Sequence, residues 1–294
     1  MHFNREEKME LDNTKNTKLH NFYIRSLSAL ILLPPVMFAI ISGGFFYFAL
    51  VFIVALLAGF EWDNINGKYS FSFDGMLMIT SILLTMTAFF MQEYKLGLFF
   101  LALGGYITYI SSNLRFKSFK NKAVPEYLNR PKWLTIGMIY ITLGLSSMAL
   151  LRNADAFQLT VLWVFMITAV SDTGAYIVGS IVGGAKILPK ISPKKSWSGF
   201  MGAFVSVAIV SYLFAIFVSA PNPLILSLLG AISVIFAHAG DMIESAFKRY
   251  VQIKDTSNLI PGHGGILDRI DALLMVAMYV AAIYLIFGKT PLLL

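Results

Sequence analysis

The chain has 294 residues, of which 57% are hydrophobic and 13% charged, and its mean hydropathy of +0.71 is too high for a soluble fold to hide from water. With no cysteine, a disulfide framework, a thiolate nucleophile and a thiolate metal site are all excluded. The net charge of +7 reads as basic loops beside anionic headgroups, so no nucleic-acid partner is expected.

Residues 1–22 are polar and of mixed charge and are expected to form a cytoplasmic tail. No small-residue cleavage site follows the first apolar run, which argues against a signal peptide. Apolar runs then fall near 26–42, 45–60, 75–92, 96–112, 133–151, 158–182, 200–219, 222–239 and 272–288. Most have the length of one helical bilayer crossing. The expected fold is therefore all-α and polytopic, with about nine transmembrane helices. The first two runs also suit a helical hairpin turning at Gly43-Gly44.

With the N-terminus inside, all but Lys95, Arg152 and Lys289 of the 23 lysines and arginines lie on the cytoplasmic side, as the positive-inside rule asks. Up to residue 157 the spans are read as free of buried carboxylates, so 23–157 is expected to be a scaffold. Charged residues enter or abut the runs beyond that point, and 158–294 is expected to be the catalytic region. No internal repeat of the transporter kind is visible. The histidines at 2, 20, 238 and 263 are too far apart for a zinc cluster.

Four segments carry groups able to do chemistry. Asp172 stands inside an apolar run, where a carboxylate by default faces a partner, a metal or water. A packing role beside Ser171, Thr173, Gly179 and Gly183 is the alternative. Lys194, Lys195 and Ser196 precede the next span, and the lysines suit either a triphosphate or anionic lipid. Asp241, Glu244, Ser245 and Lys248 share one helical face, which is either a site or a solvated helix end with salt bridges. In the stretch 254–272, Pro261, Gly262, Gly264 and Gly265 make a loop flanked by Lys254, Asp255, Asp268, Arg269 and Asp271. Such a loop can offer backbone N–H groups to an anion. Carboxylates and cations around it, at one membrane face, suit metal-dependent chemistry on phosphates, because hard cations such as Mg²⁺ take oxygen ligands and share them with phosphate. The substrate is not fixed by these residues alone.

The segment SAFKRYVQIKDTSNLIPGHGGILDRID resembles the signature of the phosphatidate cytidylyltransferase family. The matching positions are Ser245, Lys248-Arg249, Lys254-Asp255, His263-Gly264-Gly265, Asp268-Arg269 and Asp271. SDTGAY (171–176), SPKKSW (192–197) and GDMIES (240–245) resemble further family segments in the right order, so the close likeness covers about 171–272. The resemblance implies transfer of cytidylate from CTP to phosphatidic acid in phospholipid biosynthesis, in a bacterial-type inner or plasma membrane with the active site cytoplasmic. It also implies an essential Mg²⁺, with a second cation and a homodimer left open, and membrane lipids as surroundings. In this reading Asp241 and Asp268 hold the metal, with Asp172, Glu244 and Asp271 as further ligands or orienters. Lys194, Lys195, Lys248 and Arg269 pair with the triphosphate and the lipid phosphate, and His263, Gly264 and Gly265 close over the nucleotide. Ser196, Arg249, Lys254 and Asp255 complete the set.

One position departs from the pattern. The family commonly has a glutamate after the tryptophan of SPKKSW, where this chain has Ser198. The KDTSN stretch also differs slightly from the usual form. Rival readings are a membrane lipid or prenol kinase, which would release a nucleoside diphosphate in place of pyrophosphate, and a secondary transporter. A CDP-alcohol phosphotransferase fits less well, because its acidic array is not evident.

Overall fold

A computed structural model describes residues 27–28, 30–66, 72–118, 130–253, 255–257, 259–262 and 264–294, of which 66, 116–118 and 130 are described by their backbone alone. Among the described residues nine apolar helices follow one another: α1 (Leu30–Ser42), α2 (Gly44–Asn66), α3 (Phe73–Phe90), α4 (Tyr94–Ser118), α5 (Arg130–Leu151), α6 (Phe157–Val182), α7 (Trp197–Phe217), α8 (Pro223–Tyr250) and α9 (Leu267–Phe287). Eight of them, α2 to α9, are long and apolar enough to cross a membrane. The protein is thus an all-α, polytopic integral membrane protein.

The first apolar run is helical at residues 27–28 and over Leu30–Ser42, the range labelled α1. Between α1 and α2 the chain turns at Gly43 and Gly44, with φ of +62° and +49°, a backbone shape that glycine adopts without penalty. A side chain at Gly43 would also meet the ring of Phe157 at 2.8 Å.

Several helices are longer than their apolar runs. Helix α2 continues to Asn66, α8 to Tyr250, and α9 begins at Leu267. The additional turns carry the charged residues, so helix geometry and not loop geometry aims most of the site. One piece of strand departs from the all-helical expectation. Lys186–Leu188 (β1) pairs antiparallel with Ser192–Ser196 (β2), a short hairpin joining α6 to α7.

Large apolar side chains point outward along the helices, among them Phe45, Tyr176, Ile181, Phe217, Leu224 and Ile286, as a bilayer-facing surface requires. Inside, one apolar cluster joins α2, α3 and α5 to Leu267, Ile270 and Leu274 of α9. A second joins α6, α7 and α8 to Ala272, Val276 and Val280 of the same helix. Helix α9 therefore lies between two packed groups and belongs to both.

Small residues set the closest approaches, as in other membrane helix pairs. A Cβ at Gly202 would sit 2.4 Å from Val178, and one at Gly199 would sit 2.7 Å from the Ala175 carbonyl, so α6 and α7 meet with almost no side chain between them. Gly240 does the same for α8 and α9, because its Cβ would be 2.4 Å from the carbonyl oxygen of Asp271.

The bundle has a polar end. The C-terminal ends of α2, α4, α6 and α8 meet there with the N-terminal ends of α3, α5, α7 and α9, tied by Arg115–Asp74 at 3.0 Å and by contacts of Glu61 with the 256–267 region. At the opposite end the Arg152 guanidinium lies 4.4 Å over the Phe90 ring.

Candidate active site

Ser196 starts the site's first wall. It is the N-cap of α7, its Oγ accepting from the Gly199 N–H at 3.2 Å, and it is buried. The residue expected to be catalytic thus has a structural duty first. Ser198, which occupies the position of the family's glutamate, donates to the Gly183 carbonyl at the end of α6 and lies 3.0 Å from Ser196 Oγ. The preceding strand brings Lys195 onto Asp241, with which it forms an ion pair. Lys194, next to it, points to the exposed side.

Asp241 and Asp271 oppose one another because Gly240 lets α8 press on α9. One turn further along α8, Glu244 is 4% exposed, and its Oε2 lies 2.7 Å from Lys248 Nζ. The same ammonium sits 2.7 Å from Asp268 Oδ1. The i, i+4 spacing of Glu244 and Lys248 makes this pair a property of one helix, and α9 supplies the third member. Glu244 Oε1 is buried without a hydrogen-bond donor among the described residues. Asp271 is a charged neighbour of Glu244 and takes a hydrogen bond from the Ala272 N–H at 2.8 Å. Asp172 on α6 completes the group, with Asp241, Lys195 and Arg269 as its electrostatic neighbours.

The structure therefore brings together Asp172, Lys195, Asp241, Glu244, Lys248, Asp268, Arg269 and Asp271. Arg249 and Asp255 lie on the exposed rim. Lys254 and His263 lie outside the described residues.

Within the described part of the glycine loop, the Gly264 N–H donates to the Ile260 carbonyl at 3.1 Å, and the Gly265 N–H donates to Asp268 Oδ2 at 2.9 Å. These two donors are already used. The glycines have another reason to be there. A Cβ at Gly265 would lie 1.9 Å from Thr256 Oγ1 and 2.5 Å from Glu61 Oε2, and Gly264 has φ of +84°.

Asp268 organises this loop. Its Oδ2 also accepts from the Thr256 N–H and Oγ1, both at 3.0 Å, while Oδ1 receives Lys248. A carboxylate with this many donors is fixed in direction.

The scaffold half also holds buried acids, contrary to the reading of 23–157 as free of them. Glu61, Asp63 and Asp74 are 2%, 1% and 2% exposed. Asp63 accepts from the Ser72 N–H and Oγ at 3.0 and 2.8 Å, fixing the start of α3. Glu61 accepts from Thr256, Ser257, Ile266 and Leu267. The available sequence signal was Glu-Trp-Asp directly after an apolar run, which one more turn of helix carries inward.

Whether these residues suit a divalent cation can be judged from the donors themselves. Among the described residues no three acidic or histidine side chains converge as a preformed ligand set. The atoms are nonetheless all oxygen, five carboxylates share one neighbourhood, and Glu244 Oε1 lacks a donor. Such a set fits a hard cation held by one or two carboxylates and completed by substrate phosphates.

Residues 23–287 match the Cytidylyltransferase family. A phosphatidate cytidylyltransferase of Staphylococcus saprophyticus is 30% identical over 86% of this chain and 95% of its own length. One of Brucella suis is 28% identical over 92% and 94% respectively. One of Bacillus subtilis is 35% identical over a shorter stretch, 53% of this chain and 59% of that protein. With every side chain of the site inside the matched region, the chain belongs to the cytidylyltransferase family.

Proposed function

We propose that the protein converts CTP and phosphatidic acid to CDP-diacylglycerol and pyrophosphate. The observation that carries this reading is the convergence, on the segments that resemble the family signature, of the Lys195–Asp241 pair with the Glu244–Lys248–Asp268 array at one end of the bundle. A phosphate oxygen of phosphatidic acid attacks the α-phosphorus of CTP, the bond from that phosphorus to the bridging oxygen breaks, and pyrophosphate leaves. The attacking phosphate is already ionised near neutral pH, so no strong general base is required.

Lys195, Lys248 and Arg269 are the cations available to the phosphates and to the charge that develops on the leaving group. Lys194 stands beside them as an outer contact. Asp241 is partly accessible, its side chain 31% exposed, and already faces the cation Lys195, which makes it the first choice for holding Mg²⁺. Asp268, Asp172, Glu244 and Asp271 are its candidate companions. When bound, Mg²⁺ would offset phosphate charge and align the triphosphate. A contribution from Asp268 would require Lys248 to give up one of its two carboxylates, and an incoming triphosphate offers that ammonium an alternative partner.

The polar end is assigned to the cytoplasm because the charge bias places Lys186, Lys190, Lys194, Lys195, Lys248 and Arg249 there. That is also where CTP is available. The catalytic groups gather past residue 157, but the proposed division at that point is one of emphasis, since Glu61 reaches the loop from the other half.

The deciding experiment supplies CTP, phosphatidic acid and Mg²⁺ to the purified protein in mixed micelles and follows lipid-linked cytidylate and pyrophosphate together. Equal formation of both is expected, with loss on chelation, recovery with Mg²⁺ and loss in Asp241→Asn. Release of CDP with a newly phosphorylated lipid would instead make the chain a kinase. An Asp241→Asn protein turning over at the parent rate would remove the assignment of that carboxylate.

A further inference from the structure

We infer that Glu61, on α2 of the N-terminal half, is the positioning residue of the loop 256–266 and serves as the N-cap of α9 across the bundle. Helix α9 has no cap of its own, because Ile266 at its N-cap position is in the αR conformation and offers no side-chain acceptor. The missing acceptor comes from Glu61. Its Oε1 takes the Ile266 N–H at 2.8 Å and its Oε2 the Leu267 N–H at 2.9 Å. A carboxylate at this place satisfies two orphan donors and also complements the positive end of the helix.

The same carboxylate grips the other end of the loop. Ser257 Oγ donates to Oε1 at 2.6 Å, and Thr256 Oγ1 lies 3.2 Å from Oε2. Thr256 Oγ1 is also 3.0 Å from Asp268 Oδ2. Its one proton can go to either carboxylate, so the hydroxyl stands between Glu61 and the acid that receives Lys248. With both ends of the loop on one buried group, the direction of Asp268 and Arg269 is set from α2.

Glu61 sits between two anchored neighbours. The neighbouring Trp62 donates to the Trp133 carbonyl at 2.9 Å and stacks on Phe247, ring centroids 4.3 Å apart. Asp63 fixes the start of α3. The glycine at 265 is required by the same arrangement, since any side chain there would enter the space of Thr256 and Glu61.

That the loop matters for turnover rests on the cytidylyltransferase reading, whereas the clamp itself does not. The test is amide hydrogen exchange with steady-state kinetics on full-length Glu61→Gln and Ser257→Ala proteins in the same micelles. Glu61→Gln keeps the shape but turns one acceptor into a donor facing donors. Exchange at Ile266 and Leu267 is expected to rise about tenfold, the factor given by one lost charge-assisted hydrogen bond. It should stay at the parent level in α3 and α5. Turnover should fall about 10- to 100-fold, with the KM for phosphatidic acid unchanged. Ser257→Ala removes one of the four donors and should give a smaller rise confined to the same peptide. It keeps the test open should Glu61→Gln not fold.

Parent-level exchange at 266 and 267 in both variants would overturn the inference. So would a rise spread evenly over α2, α3 and α5 with activity falling in proportion to melting temperature, because Glu61 would then be a general support. A parent protein that clamps the loop yet releases no pyrophosphate would instead refute the cytidylyltransferase reading and leave the clamp standing.

Discussion

Replacing Gly240 with alanine tests whether the approach of α8 to α9 sets the catalytic geometry. The added Cβ would lie 2.4 Å from the Asp271 carbonyl oxygen, 3.0 Å from its carbon and 3.0 Å from Met275 Cγ. Two of these are backbone atoms that cannot rotate away. An unstrained carbon–oxygen contact is about 3.4 Å, so the helices must part by about 1 Å at this level. Asp241 and Asp271 stand at that level and move apart with them. Misplacement on this scale costs about 10²-fold in rate, and the overpacking costs about 1–3 kcal/mol. Gly230→Ala is the control. It lies ten residues earlier on α8, about 15 Å away along the axis, where its Cβ would strike Ser211 Oγ at 2.2 Å. Both variants should lose thermal stability in micelles, but only Gly240→Ala should lose kcat. Equal fractional losses of activity in the two, or a Gly240→Ala enzyme with parent kcat, would refute the claim that this crossing aims the carboxylates.

Lys248→Met should lower stability by about 3–5 kcal/mol, because it leaves Glu244 and Asp268 facing one another with their shared ammonium removed. Adding Glu244→Gln should recover part of that loss without recovering turnover. Thermal melts of the two proteins measure it, and a single variant as stable as the parent would contradict it. Ser198→Ala removes a hydrogen bond to the Gly183 carbonyl and should cost about 1 kcal/mol with turnover kept. A large loss of turnover with unchanged melting would mean that Ser198 has inherited the function of the family's glutamate.

The spans were legible because the bilayer imposes a length and a composition that leave a mark on sequence. Asp241, Glu244 and Lys248 were legible for a related reason, since helical spacing alone puts them on one face. Which group on another helix each one meets was not. Lys195 finds Asp241 only after the β1–β2 hairpin has turned the chain back, and Lys248 finds Asp268 only once α9 is docked. The glycine loop was read as offering backbone N–H groups to an anion. The Gly264 and Gly265 N–H groups are used within the protein, and a side chain at Gly265 would meet Thr256 and Glu61. Sequence shows that a position tolerates no side chain but not which atom stands in the way.

Glu61 shows where one-dimensional reading stops. At the end of an apolar run, a Glu-Trp-Asp triplet has the composition of a loop entering water, and the local hint to the contrary is only that one more turn of helix would carry it inward. Its burial follows from partners 195 and 206 residues later in the chain. Its removal is also costly in a way that no apolar contact would be, since the Ile266 and Leu267 N–H groups would lose their acceptor. A membrane enzyme that hydrolyses or transfers phosphate must keep charged groups at a bilayer edge without letting them wander toward water. Here the site's own lysines balance part of the charge, and a fixed acid from the opposite half of the bundle sets the direction. The N-terminal helices are therefore part of the catalytic geometry, although the groups proposed to meet substrate all lie beyond residue 157.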